Sequence, residues 1–319
     1  MKSGVDGVPR GNDPSGNTPA GKPAELKRHA LQDPASSAPA FKDHFSAVAD
    51  AYAASRPEYP EALFDAIAVR VPGPANVWEP GCGSGQATRG LAARFAHVHA
   101  SDPSARQIAQ HWAVDCRAGR DPPLAHGVDE ARPAATAPRA QWRVDDCVSN
   151  VTLQVGPAER TTLPDASVQL VAVAQALHWF DRERFFSECD RVLTPGGVLA
   201  AWGYADFIAP DGMIDAVAAF RAQIEPHWPP ERAQIDAHYA GYDWPFPALP
   251  APTLGLEAEW SLAHFLRYLS SLSASARCLA STGDDPVARH APRLAAAWGG
   301  TADVRVVQWP LFLHVRRKP

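Results

Sequence analysis

The run Glu79-Pro-Gly81-Cys-Gly83-Ser-Gly85 carries one acidic side chain followed by three glycines at alternate positions. Glycine lacks a Cβ, so such a turn can take positive φ and let a cofactor come close to the backbone. A short apolar strand, Asn76 to Glu79, leads in, and a helix starting near Gln86 points its first N–H groups into the same space. A nicotinamide dinucleotide fingerprint wants glycine at position 86, where helix and strand must approach and the pyrophosphate sits. Gln86 stands there, which disfavours a nicotinamide dehydrogenase. Without support elsewhere, the same glycines could merely join a strand to a helix.

That support comes from what lies downstream. Gln86 to Phe95 reads as a helix and His97 to Asp102 as a second short strand. Asp102 then stands at a strand's carboxyl end, where a doubly wound sheet binds ligands and an acidic residue can accept from ribose hydroxyls. Followed by Pro103 and Ser104, it also suits a helix N-cap, and both roles can hold together. Val151 to Glu159 is a β-branched run ending in a Gly-Pro turn. Val168 to Ala174 is an apolar run interrupted only by Gln169, as expected of a central parallel strand covered on both faces. Gln175 to Phe180 follow at its carboxyl end, and Asp181 can cap a helix ending around Leu193.

The pattern acidic-x-Gly-x-Gly-x-Gly resembles motif I of the class I S-adenosylmethionine-dependent methyltransferases. The runs Ala174-Gln-Ala-Leu-His-Trp-Phe-Asp181 and Glu188-Cys-Asp-Arg-Val-Leu-Thr-Pro-Gly-Gly197 narrow the resemblance to a small-molecule branch similar to trans-aconitate methyltransferase. Phe45 to Pro60 matches that branch through Tyr52, Arg56-Pro57 and Tyr59-Pro60. The resemblance implies an α/β, Rossmann-like, doubly wound sheet of seven mostly parallel strands with the last antiparallel, plus a helical cap. It implies S-adenosylmethionine as cofactor, held by Glu79, Gly81, Gly83, Gly85, Asp102, Pro103, Ala158, Glu159 and Gln175. In that family the pair matching Ala158-Glu159 lies against the adenine edge.

Composition sets the outer bounds. A net charge of −5 argues against a general phosphate-binding surface, so no nucleic-acid partner is expected. No apolar run approaches membrane-spanning length, and Met1 to Gly7 lacks a signal peptide's apolar core. Five irregularly spaced cysteines suggest neither a disulfide framework nor a zinc site, and Cys82 reads as packing. A monomeric cytoplasmic protein acting on a small molecule, without metal, is expected. Residues 1–40 read as a disordered tail, poor in large apolar groups, and residues 41–319 as the methyltransferase domain. Within it, 113–147 reads as a low-complexity insertion and 207–300 as the stretch containing the cap. The insertion includes Asp121-Pro-Pro-Leu124, which lacks the aromatic and the position of an amino-methyltransferase signature.

In the last third, Asp211 to Tyr242 favours helices broken at Pro226 and Pro229-Pro230. Leu256 to Trp260 reads as a strand, Leu262 to Ala280 and Val287 to Trp298 as helices. Val304 to Val315 reads as one or two edge strands with Pro310 at a bulge or start. Tryptophans 202, 228, 244 and 260 are expected mainly in the core.

Methyl transfer from a sulfonium is an in-line displacement in which the protein mostly supplies alignment and desolvation. A carboxylate acceptor needs no general base, whereas a phenol or amine usually does. His178 is the best-placed candidate base; packing beside Trp179 is its structural alternative. Tyr52, Arg56 and Trp179 are candidate substrate contacts, with Arg56 the natural partner for a carboxylate. A cofactor-sensing module without turnover is the rival reading. Leu272 in Ser270-Ser-Leu-Ser-Ala274 stands where relatives carry an aromatic, which points to a different substrate.

Overall fold

The computed structural model describes residues 55–113, 150–300 and 302–319. The expected tail over 1–40, Tyr52 and residues 114–147 of the expected insertion lie outside the described residues. Strands β1 (Asn76–Pro80), β2 (His97–Asp102), β3 (Val151–Val155), β4 (Val168–Ala174) and β5 (Leu193–Tyr204) pair in parallel. The short β6 (Ala248–Leu249), β7 (Leu254–Ser261) and the long β8 (Val304–Arg317) add antiparallel pairs. The strand order is β3-β2-β1-β4-β5-β8-β6, with β7 also on β8. The chain winds outward from β1 in both directions, so the space above the ends of β1, β2 and β4 is the switch point that an open sheet offers a ligand.

The helices divide by face. Side chains alternate along each strand, so Leu170, Ala172, Ala200 and Trp202 enter one core while Val171, Val173, Leu199 and Ala201 enter the other. The first core is closed by α1 (Glu61–Ala68) and α2 (Gln86–Ala92), through Leu63, Phe64, Ile67 and Leu91. The second is closed by α4 (Arg182–Val192), through Phe185 and Cys189, and by Ile235 of α6 (Arg232–Asp236). The short α3 (Ala105–Ala109) follows β2. Both faces of β4 are thus covered, which is why Leu170 to Ala174 are all apolar, while Gln169 near its start accepts from the Asn76 N–H at 2.8 Å.

Between β5 and β8 lie α5 (Ile214–Ile224), α6, α7 (Leu262–Ser270), α8 (Ser273–Thr282) and α9 (Pro286–Trp298). The helix expected over Leu262 to Ala280 is two helices. Leu272 is extended, with ψ 134°, and the Ser271 and Ser275 hydroxyls each donate to a carbonyl of α7, at 2.7 Å. These bonds replace the backbone partners that a continuous helix would supply.

The sheet has eight strands rather than seven, and the reason is proline. Leu249 pairs with Val315 and Leu254 with Leu311, so β6 and β7 are two pieces of one outer strand. Pro250 and Pro252 lie between them and cannot donate to a ladder. The expectation that Val304 to Val315 forms edge strands is corrected. β8 is interior, bonded to β5 on one side and to β6 and β7 on the other. Pro310 fits because it lies one residue beyond Leu311, whose pair with Tyr204 ends the β5 ladder. Trp202 and Trp260 are buried core residues, while Trp228 and Trp244 are half-buried.

Candidate functional site

The glycine loop runs from β1 to α2 with Gly81, Gly83 and Gly85 at φ 71°, 55° and 92°. It is tied to the end of β2. The Ser101 carbonyl accepts from the Gly81 N–H at 2.7 Å and the Cys82 N–H at 3.0 Å. Asp102 Oδ2 accepts from the Gly83 N–H at 3.0 Å, and Oδ1 from the Ser104 N–H at 2.8 Å. The helix N-cap is therefore Ser104, whose hydroxyl accepts from the Gln107 N–H at 3.3 Å. Asp102 positions the loop one step earlier, with half-buried Pro103 between them. Each carboxylate oxygen has two acceptor positions, so Asp102 retains capacity for ligand hydroxyls.

The three glycines are required for different reasons. A Cβ on Gly81 would lie 2.8 Å from Ala176 Cβ and 3.1 Å from Phe180 Cζ. A Cβ on Gly85 would lie 2.2 Å from Trp112 Cδ1 and 2.6 Å from His111 Cε1. A Cβ on Gly83 would meet no atom of the described residues within 4 Å. Protein packing demands the first and third glycines, while the second opens onto a space that the described residues leave clear.

Glu79 faces this loop from the end of β1. It is 1% exposed, and among the described residues neither carboxylate oxygen makes a hydrogen bond of ordinary geometry, although the Thr88 hydroxyl is near. Burial pushes its pKa up to about 8, and the Asp102 charge adds to the rise. The Thr88 hydroxyl offsets part of it. His111 Nδ1 accepts from the Ala113 N–H at 3.2 Å, so Nε2 carries the proton and donates to Thr88 Oγ1 at 2.9 Å. An unpaired buried carboxyl is costly, and its retention here fits a ligand that brings a cationic group. S-adenosylmethionine has an ammonium, ribose hydroxyls and a flat base, and the residues present fit the first two.

At the ends of β3 and β4, Ala158 is buried and the Gly156 N–H donates to the Asp102 carbonyl at 3.1 Å. Glu159 Oε1 accepts from the Asp181 N–H at 2.9 Å, so this side chain holds the start of α4 in place. Gln175 sits at φ 52°, a left-handed conformation that is strained for a side chain of this kind. Its amide bonds both backbone groups of Tyr204: Nε2 donates to the carbonyl at 2.9 Å and Oε1 accepts from the N–H at 3.2 Å. Gly203 is glycine because a Cβ there would fall 2.3 Å from Gln175 Oε1. The Gln175 side chain thus locks the end of β4 to the end of β5.

His178 lies in the 3-10 turn Leu177–Trp179, with its ring 4.7 Å from that of Trp179. Nδ1 is 3.2 Å from the Tyr239 hydroxyl. Burial and then the Arg232 charge lower its pKa to about 3, so the ring is neutral at pH 7. Arg56 Nη2 donates to the Ser271 carbonyl at 3.1 Å, and the guanidinium lies 5.3 Å over the Tyr268 ring. Leu272, next to that carbonyl, is buried in the first core. Sequence reading missed His111, Trp112, Tyr239 and Arg232, because none belongs to a local motif.

Among the described residues, no group of three His, Cys, Asp or Glu side chains gathers to hold a metal, and no helix is long and apolar enough to cross a membrane. Residues 78–201 match a methyltransferase domain family. A solved structure from Anaeromyxobacter dehalogenans, provisionally assigned as a type II methyltransferase, is 37% identical, with a TM-score of 0.66 over 82% of this chain and 97% of its own. A Dictyostelium discoideum protein, also provisionally assigned as a methyltransferase, is 26% identical over 293 residues, 87% of this chain and 96% of that relative. An uncharacterized methyltransferase of Mycobacterium tuberculosis is 31% identical over 164 residues, 53% of its length. The chain belongs to the class I S-adenosylmethionine-dependent methyltransferase family.

Proposed function

We propose that this methyltransferase acts on a small molecule whose accepting atom is already anionic, a carboxylic acid, as in the branch that includes trans-aconitate methyltransferase. The observation that carries the reading is the state of His178. It is the titratable side chain at the end of β4, yet it is half-buried, neutral and bonded to Tyr239. A general base works best with a pKa near the working pH, and a ring at about 3 is far below it. A carboxylate ionises below pH 5 on its own and needs no proton removed. Arg56, at the same end of the sheet as Tyr204 and Tyr268, offers a cation for such an acceptor.

The cofactor supplies the electrophilic methyl group when it is bound. Asp102 accepts from its ribose hydroxyls, Glu79 pairs with its ammonium, and Gly83 leaves the space that it fills. Gly81, Gly85 and Pro103 hold the walls of that space. Ala158 and Glu159 stand beside the base, and Gln175 fixes the strand ends beneath it. Tyr52, Arg56 and Trp179 contact the acceptor. In a displacement of this kind, orientation and exclusion of water are the protein's main contributions.

Release of S-adenosylhomocysteine, measured against carboxylates, phenols and amines from pH 6 to 9, tests the reading. Turnover with carboxylates at a rate flat across that range is expected. Turnover confined to phenols or amines, and rising with pH, would overturn it.

A further inference from the structure

Arg232 opens α6, which lies against the Leu177–Trp179 turn at the carboxyl end of β4. Its guanidinium lies 4.3 Å from the centre of the Trp228 ring, and Nε donates to Asp236 Oδ1 at 2.7 Å. One edge of the fork is thereby fixed. Among the described residues neither Nη nitrogen has a hydrogen-bond partner, and the side chain is only 18% exposed. A stacked guanidinium with its Nη edge turned to a ligand can grip a carboxylate in two parallel bonds.

The position matters as much as the fork. Tyr239, just beyond α6, belongs to the core on one sheet face, and Tyr268 to the core on the other. The Arg232 charge reaches both faces, lowering the pKa of His178 beside Tyr239 and acting on Tyr268 in the same sense. The packing of α6 on the Leu177–Trp179 turn places Arg232 at the carboxyl end of β4. Arg56 approaches the same Tyr268 ring. An ordinary i, i+4 ion pair would account for the Asp236 bond, but not for the stacking on Trp228 or for this position.

We propose that Arg232 is the anion receptor for the acceptor, a specificity-determining residue that grips its carboxylate while Asp236 and Trp228 hold the guanidinium in orientation. The proposal rests on the anionic-acceptor reading above and assigns that reading a residue. It predicts that small polycarboxylates bind the cofactor-product complex through Arg232.

Calorimetry of the full chain saturated with S-adenosylhomocysteine tests this, with tricarballylate as the probe and neutral succinamide as the control. The expected result is tricarballylate binding that Arg232→Gln weakens at least tenfold and Arg232→Lys weakens less, with S-adenosylhomocysteine affinity unchanged in both. The unchanged affinity shows that the variants are folded. If tricarballylate binds all three proteins equally, the Arg232 assignment is overturned and the anionic-acceptor reading stands. If the wild type binds no better to tricarballylate than to succinamide, both fall together.

Discussion

Replacing Glu79 by glutamine separates the cost of this carboxyl from its use. In the unfolded chain Glu79 loses its proton near pH 4.5, whereas in the folded protein burial holds the proton to about pH 8. The folded state therefore binds more protons across that window, and stability falls as pH rises through it. The fall amounts to ~1.4 kcal/mol per pH unit, or roughly 5 kcal/mol once pH 8 is passed. A glutamine side chain has nearly the same shape as glutamate and cannot ionise. Urea unfolding of the cofactor-free proteins at pH 5, 6, 7 and 8 should show the Glu79→Gln variant gaining on the wild type at each step, by about 3 kcal/mol at pH 7. Cofactor affinity should move the opposite way, falling at least tenfold in the variant because the ammonium loses its ionic partner. Wild-type binding at pH 7 should also release a proton, seen as a heat that depends on the buffer's ionisation enthalpy. A stability difference that stays flat from pH 5 to 8 would refute the reasoning.

Other expectations follow from the same geometry. Gly85→Ala drives a Cβ into Trp112 at φ 92° and should cost about 3 kcal/mol or more of stability in urea unfolding. Gly83→Ala meets no atom of the described residues and should cost only ~1–2 kcal/mol, while lowering cofactor affinity sharply in calorimetry. His178→Gln should leave the pH–rate profile without a lost limb near pH 6–7. The wild type should lose stability on acidification below pH 6.5, where the unfolded imidazole takes a proton and the folded one does not until about pH 3; the variant should lack that fall. Gln175→Ala removes both side-chain bonds to the Tyr204 backbone and should cost about 1–3 kcal/mol, read from the urea midpoint.

Legibility in the sequence followed the range of the interaction. The Glu79–Gly85 loop, Asp102 at the end of β2 and the apolar β4 are local patterns, and each is found where its residue types require. The N-cap moved from Asp102 to Ser104 because two polar residues two positions apart compete for one turn, and sequence does not say which carboxylate oxygen goes where. The continuous helix over Leu262 to Ala280 failed for a related reason: serine hydroxyls bonded back to α7. The interior place of β8 was hidden because its alternation and Pro310 look the same at an edge. Only the return of β6 and β7 to its outer side decides the matter. Tyr239 meets His178 across 61 residues, and His111 meets Thr88 across 23. Such contacts follow from the packing of whole elements, and no spacing in the chain encodes them.

The central claim is that the loop after β1 and the carboxylate after β2 form one cofactor site. Titration of the wild type and of Asp102→Ala with S-adenosylmethionine, with NADH as control, tests it most directly. The account predicts that the wild type binds S-adenosylmethionine and not NADH, and that Asp102→Ala binds it at least tenfold more weakly while remaining folded. Equal affinity in the two proteins, or binding of NADH in its place, would contradict it.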